Sequence, residues 1–253
     1  DPNAGMLTVE VMPSLSAVLI DGLETFDSVG YRDTISILSR LLAKLHVYLA
    51  LRELSTDSGT MEADLIEQVE KDIRSLFESQ LIEGGWGWWQ GSASPDPFIT
   101  AAVLLGLDQA SQAGLDVSLH FIELSLRYLQ DQLIPPGEIS SSRELDRLAF
   151  QVYALRNQDL DLSKYIVGLY ARRSELSPWA LGLLALTVHD RQAADSRVSV
   201  LISDLEGRAL RSATGVNWES EQDVWFLPGS PIFNTAVAAF TLAQLDPASA
   251  SLT

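Results

Sequence analysis

Glycoside hydrolysis needs two carboxyl groups roughly 5–10 Å apart. Asp96, Glu138 and Asp146 are the candidates here, and no spacing rule selects among them. Asp96 precedes Pro97 and an apolar run, so its blander reading is a helix N-cap; the functional one is a polar group at the mouth of a ring of helices. The run NQDLDL (157–162) holds two acids and reads as a turn rather than as the acidic cluster that ionises an isoprenoid. Trp86, Trp88 and Trp89 stand in GGWGWWQG (84–91). They could stack on a sugar or line a pocket; the blander reading closes the loop over a helix pair, since buried aromatics dominate core packing. His46, His120 and His189 are far apart, and none belongs to a metal-spaced pair. The chain has no cysteine, which removes disulfides, thiolate catalysis and cysteine-ligated zinc together. Neither a cofactor nor a metal is expected.

The elements that must position these groups are bounded by length and charge. A chain of 253 residues suits one large domain or two small ones. The net charge of −17 repels phosphate backbones and anionic headgroups, so nucleic acid and membrane surfaces are poor partners. No apolar segment is expected to reach the roughly 18–20 residues of a membrane helix. The start, DPNAGMLTVEV, does not read as a signal peptide, and both ends read as those of a piece of a longer protein.

Residues 6–12 (MLTVEVM) alternate and predict one strand, left behind by an adjoining β-domain that would account for residues 1–13. From residue 14 to 253 the pattern is helical. Helices are expected over 14–26, 33–54, 62–82, 97–112, 117–133, 144–157, 162–172, 178–189, 195–211 and 232–245. Residues 98–107, 179–188 and 233–242 are apolar almost all round and must be buried on most sides. The helices at 62–82, 117–133 and 195–211 keep a charged face. Buried helices inside amphipathic ones predict an all-α fold, an α/α toroid. About ten helices fall short of a six-pair ring, so either the ring is incomplete in this piece or it closes with fewer pairs.

Repetition supports this reading. PFITAAVLLGL (97–107) aligns with IFNTAVAAFTL (232–242), matching Phe98 with Phe233, Thr100 with Thr235 and Ala101 with Ala236. Trp86 and Trp218 stand upstream of the two copies, while RLAFQVYAL (147–155) and PWALGLLAL (178–186) are looser ones.

The stretch GGWGWWQGSASPDPFITAAVLLGLDQASQAGLDV (84–117) resembles the thioester domain of alpha-2-macroglobulins and complement proteins in its bacterial form. PSLSAVLIDGLETF (13–26), ELDRLAFQVYAL (144–155), ELSPWALGLLAL (175–186) and the stretch from Trp218 to Asp246 are similar to other parts of it. The resemblance implies a toroid within a large extracellular or periplasmic protein that captures proteases, with partners in its other domains and the target protease. The family's reactive site is a Pro-Tyr-Gly-Cys-x-Glu-Gln-Thr-like run whose Cys and Gln condense into a thioester. The corresponding run here is FDSVGYRDTIS (26–36). Anchoring on Thr34 and Ser36 sets Gly30 at the Cys position, Arg32 at the Glu position and Asp33 at the Gln position. Glycine has no sulfur and the chain has no other, so the resemblance implies a non-catalytic member. Tyr31, Trp86, Trp88, Trp89 and Asp96 are its candidate binding surface. The alternatives are a stand-alone protein-binding module, or an enzyme acting on a glycan or isoprenoid.

Overall fold

The computed structural model describes residues 33–53, 59–213, 215–219 and 229–252. The strand expected over 6–12, the helix expected over 14–26, and Gly30, Tyr31 and Arg32 lie outside them. Among the described residues there are nine α-helices: α1 Thr34–Glu53, α2 Gly59–Glu78, α3 Pro97–Gln112, α4 Leu119–Asp131, α5 Ser142–Ala154, α6 Ser163–Ala171, α7 Pro178–Arg191, α8 Arg197–Glu206 and α9 Pro231–Leu245. One antiparallel hairpin joins β1 Leu210–Ser212 to β2 Gly215–Asn217, pairing Leu210 with Asn217. The chain is mostly α, as its periodicity predicts.

Odd- and even-numbered helices do different work. Every residue of α7 from Pro178 to Val188 is buried, whereas α4 buries only Ser125 and Leu129. In contact order, α1 lies on α3, α3 on α5, α5 on α7 and α7 on α9. The helices α2, α4, α6 and α8 each lie against the helix before them. The result is an inner layer of apolar helices backed by amphipathic outer ones, which is how a chain of hairpins buries one continuous core. Among the described residues, the principal contacts establish that two-layered succession, and a seam closing it into a ring is not among them.

Three expectations need correction. The helix expected over 195–211 stops at Glu206, where the Gly207 N–H bonds back to Ser203, and residues 210–212 become a strand. Apolar spacing alone could not see this, because Leu210 suits either pattern and the turn before Gly215 decides it. The helix expected over 62–82 stops at Glu78, with the Ser79 and Gln80 N–H groups turning back to Leu76 and Phe77. Finally, α1 does reach the length and hydropathy of a membrane helix, with a mean hydropathy of 1.4. The core uses that apolarity, since Ile37, Leu38, Leu41 and Leu45 are buried in it and Lys44 pairs with Asp72 of α2 at 3.3 Å.

Two glycines are needed where they stand. In α7, a Cβ at Gly182 would lie 2.6 Å from Thr241 Oγ1, so this glycine sets the approach of α7 to α9. Gly84 has φ of 95°, and its Cβ would meet the Leu124 carbonyl oxygen of α4 at 2.5 Å. Backbone cannot yield as a side chain can. Gly84→Ala is therefore expected to lower stability by about 2–4 kcal/mol in urea unfolding. Gly137→Ala, where nothing lies within 4 Å, should leave the midpoint unchanged.

Candidate functional site

Asp33 begins α1. Its backbone carbonyl accepts the Ile37 N–H at 3.1 Å, which makes it the N-cap. One carboxylate oxygen accepts the Ser36 N–H at 2.9 Å and the other the Ser36 hydroxyl at 2.5 Å. Both oxygens are thus committed to satisfying the helix end. The next residue ties this end to the tryptophan loop. The Thr34 N–H donates to the Trp88 carbonyl at 3.0 Å, and its hydroxyl to the Gly87 carbonyl at 2.6 Å. Asp33 itself forms an isolated antiparallel bridge with Trp89.

The three tryptophans of that loop have three fates. Trp86 is fully buried, and its indole N–H donates to the Leu76 carbonyl in the last turn of α2 at 2.7 Å. It cannot be part of a binding surface, because its face is core and its one polar atom is used. Trp88 is half-buried, with its indole N–H 3.3 Å from Asp96 Oδ2. Trp89 is 67% exposed. Its N–H and carbonyl are both held by the Ser92 hydroxyl, at 3.1 and 2.8 Å, so it stands on an ordered turn.

Asp96 joins this loop to the next two inner helices. It is the N-cap of α3, and its Oδ1 accepts the Phe98 N–H at 2.8 Å and the Ile99 N–H at 3.3 Å. The same oxygen takes Arg147 Nη2 of α5 at 2.6 Å. The Arg147 guanidinium lies over the Phe98 ring, 5.8 Å from its centroid. The charge of Asp96, after burial, also helps push the Tyr128 phenol up to about 12.

The neighbouring residue of α5 faces the other way. Asp146 Oδ1 accepts the N–H of Ser177, the N-cap of α7, at 2.9 Å. Burial pushes this carboxyl up to about 6, against hydrogen bonds from Ser177 and the charge of Arg208. Glu138 is exposed, in the short 3₁₀ turn Pro136–Glu138. The three acids considered for glycoside cleavage are therefore not a free pair. Asp96 and Asp146 both bind backbone N–H groups, on opposite neighbours of α5. A cavity of about 170 Å³ opens at the far end of α7, lined by Ile166, Val188, Arg191 and Asp195 among others. At 1.5 Å per residue that is roughly 15–20 Å along the helix from Ser177.

The repeat read from the sequence is reproduced in hydrogen bonds. The Trp86 N–H donates to Thr100 Oγ1 at 2.9 Å, and the Trp218 N–H to Thr235 Oγ1 at 3.0 Å. The Trp218 indole donates to the Leu205 carbonyl at the end of α8, as Trp86 does at the end of α2. Phe98, Phe150, Trp179 and Phe233 form a file of rings across α3, α5, α7 and α9, with centroids 4.8, 6.1 and 5.5 Å apart.

A second recurrent device escaped the sequence reading. Arg172, just after α6, donates to the Pro136 and Ile139 carbonyls at 2.7 and 2.6 Å. Arg208, just after α8, reaches the Leu176 and Arg173 carbonyls at 2.5 and 3.0 Å. Each arginine fastens the loop that precedes the neighbouring inner helix. An arginine just after α6 and another just after α8, 36 residues apart, was the available signal, but exposed-looking arginines carry no periodicity by themselves.

Two stability tests follow from this geometry. Asp96→Ala removes a cap and leaves Arg147 without its carboxylate, and should cost about 2–3 kcal/mol in chemical unfolding. Asp96→Asn should recover the cap's share alone. Asp146 is more easily protonated folded than unfolded, where its carboxyl titrates near 3.8. Its contribution to stability is thus fully present below that value and is lost as pH rises to about 6. Asp146→Asn should therefore gain on the wild type by about 2–3 kcal/mol between pH 4 and 7. Parallel unfolding curves across that range would sink the assignment.

No family model matches the sequence. The alpha-2-macroglobulin of Thermotoga maritima is 30% identical over 76 residues, covering 30% of this chain and 5% of that protein. The alpha-2-macroglobulin homolog of Yersinia pestis is 26% identical over 132 residues, covering 51% of this chain and 6% of that protein. The chain thus spans 5–6% of the length of the curated relatives it matches. Its fold is that of solved structures. Native Escherichia coli alpha-2-macroglobulin, from domain MG7 to the C-terminus, superposes with a TM-score of 0.71 at 18% identity, over 89% of this chain and 35% of that one. The trypsin-activated E. coli protein gives 0.64 at 19% identity, over 85% and 14%. Curated relatives and solved structures alike point to bacterial alpha-2-macroglobulin.

Proposed function

We propose that this chain is the thioester-domain-like module of a bacterial alpha-2-macroglobulin-type protease inhibitor, and that it holds no thioester. The observation that carries this reading is a fold shared over most of the chain with such a protein, in a sequence without a single cysteine. A thioester needs a thiol, so the covalent step is chemically closed. What takes its place at the start of α1 is a helix cap. Asp33 spends both oxygens on Ser36, and the backbone beside it is stitched to Trp88 and Trp89. The module is not an enzyme on this reading. It supplies packing surface to other domains of a long polypeptide at the cell envelope or outside the cell.

An E. coli relative has been solved as a trypsin-activated form. By that likeness, the parent of this chain would close around a protease after its bait is cut, and retain it without a bond. A surface for such contacts is offered by Trp89 and Trp88, with Asp96 bonded to the Trp88 indole; Tyr31 and Arg32 precede Asp33, which bridges to Trp89.

The test is to incubate the parent polypeptide with trypsin and separate the products on native and denaturing gels. The expected result is a retained complex on the native gel that falls apart in SDS. Methylamine and reductant should change neither lane. A parent that is digested with no retained protease would overturn inhibition, and an SDS-resistant adduct would overturn the non-covalent step. A partner captured by the domain alone, with no trapping by the parent, would favour a stand-alone binding module.

A further inference from the structure

The cavity of about 170 Å³ stands at the end of α7 opposite the caps, and it has two unlike walls. One is aliphatic, made by Ile166 and Val167 of α6 and Val188 of α7. Ile166 and Val188 are buried, and Val167 is 57% exposed. The other wall is polar and carries Arg191, Arg197 and Asp195. Its two arginines are in different states. Arg197 is spent on Asp195, with its Nε 3.0 and 3.1 Å from the two carboxylate oxygens and its Nη2 2.6 Å from one of them. Those bonds hold the Asp195 carboxyl down at about 2, so the pair adds no net charge at neutral pH.

Arg191 has neutral partners only. Its Nη1 donates to the Arg156 and Gln158 carbonyls at 3.1 and 3.3 Å, and its Nη2 to the Leu160 carbonyl at 2.9 Å. A carbonyl satisfies a donor and leaves the charge uncancelled. The guanidinium N–H groups that remain are the Nε–H and one on Nη2, the two nitrogens of an edge that grips a carboxylate in parallel bonds. Seven arginines among the described residues are paired with carboxylates. Arg191 is not one of them, in a chain where 34 acids face 17 bases. The acids around it are engaged elsewhere. Asp190 pairs with Arg156 at 2.6 Å. Asp161 accepts the Ser163 N–H at 3.0 Å, and bonds from Ser163, followed by the charges of Arg191 and Lys164, hold its carboxyl down.

We propose that this cavity binds a short aliphatic carboxylate, with its carboxylate on Arg191 and its chain against Ile166, Val167 and Val188. A phosphate suits it less, because a second negative charge would meet one uncancelled cation and an aliphatic wall. The volume is that of about six waters in the liquid, which fits an acid of about five to eight heavy atoms. It is smaller than the roughly 300–1,000 Å³ of a drug-sized pocket, so the affinity is modest, with Kd on the order of 1 mM. The same chemistry is offered by a free small acid and by the last residue of a peptide. Nothing in the site depends on protease trapping.

The experiment is an NMR titration of the 253-residue chain with 3-methylbutanoate at neutral pH and constant ionic strength, following backbone amides and the Arg191 Nε–H. The expected result is saturable shifts confined to residues 163–167 and 188–197 and to that Nε–H. Sulfate and 3-methylbutanol each satisfy one wall only, and each should bind about tenfold more weakly. Val167→Glu sets a negative charge at the aliphatic wall without touching the Arg191 bonds, and should weaken binding about tenfold, while Val167→Lys should tighten it. Arg191→Gln should abolish binding, and the Val167 pair keeps the test sound if that change frees the loop at 156–160. N-acetyl-leucine separates the sources. Tighter binding than 3-methylbutanoate, lost in its amide, supports the site and assigns it to a peptide C-terminus; weaker binding supports it and assigns it to a free acid. No saturable shift up to about 20 mM, twenty times the expected Kd, overturns the proposal. So does an equal response to sulfate, which would mean an unselective anion site, or binding that Val167→Glu leaves unchanged.

Discussion

Every α-helix begins with backbone N–H groups that nothing inside the helix can accept, and with the positive end of its dipole. Here the inner helices present several such ends side by side, and the layer holds together through how they are satisfied. Asp33 caps α1 while its neighbour Thr34 is bound to the tryptophan loop. Asp96 caps α3 and takes Arg147 from α5. α7 has no side-chain cap of its own. Its first N–H groups are accepted from either side, at Ser177 by Asp146 of α5 and at Trp179 by Asn234 of α9 at 3.3 Å. The bonds thus run from α1 to α9 without leaving this end of the layer.

That arrangement bears on what the site can do. A carboxylate whose lone pairs are already taken by hydrogen bonds has little left with which to engage a substrate. Asp33 accepts the Ser36 N–H and hydroxyl, and Asp96 accepts two helix N–H groups, the Trp88 indole and Arg147. Asp146 differs in burial, which raises it to about 6, yet its oxygen is also held by a backbone N–H. Asp96 and Asp146, which looked chemical in the sequence, are here fasteners of the scaffold. What is left facing solvent at this end is an aromatic knuckle, Trp89, on a turn braced by Ser92.

Much of this was legible beforehand, and the reason differs from element to element. The inner helices announce themselves because a helix buried on most sides must be apolar on most sides, as 179–188 is. Asp96 could be read as a cap because aspartate followed by proline and an apolar run is a local pattern, and caps are local. The match of Trp86 with Trp218 survived into real hydrogen bonds because both place an indole on the last turn of an outer helix. The separate fates of Trp86, Trp88 and Trp89 were not legible, since three similar neighbours in one loop are sorted by what packs above them. Nor was the role of Asp146, whose partner lies 31 residues away on another helix. The hairpin at 210–217 was missed because a three-residue strand has too few positions to display alternation.

A stack of hairpins with only nearest-neighbour contacts would be expected to loosen one unit at a time. Capping by the neighbour changes that expectation. If α9 moves away, α7 loses the acceptor for the Trp179 N–H as well as apolar contact, and a buried N–H left unmatched is a larger penalty than a bond merely exchanged with water. The same holds for α5, whose Arg147 and Asp146 face opposite neighbours from adjacent positions. Opening at one joint therefore raises the free energy of the next. The layer behaves as one cooperative body up to α9, and there the pattern stops: its buried face is bonded into the file, while its other face is apolar, uncharged and bare.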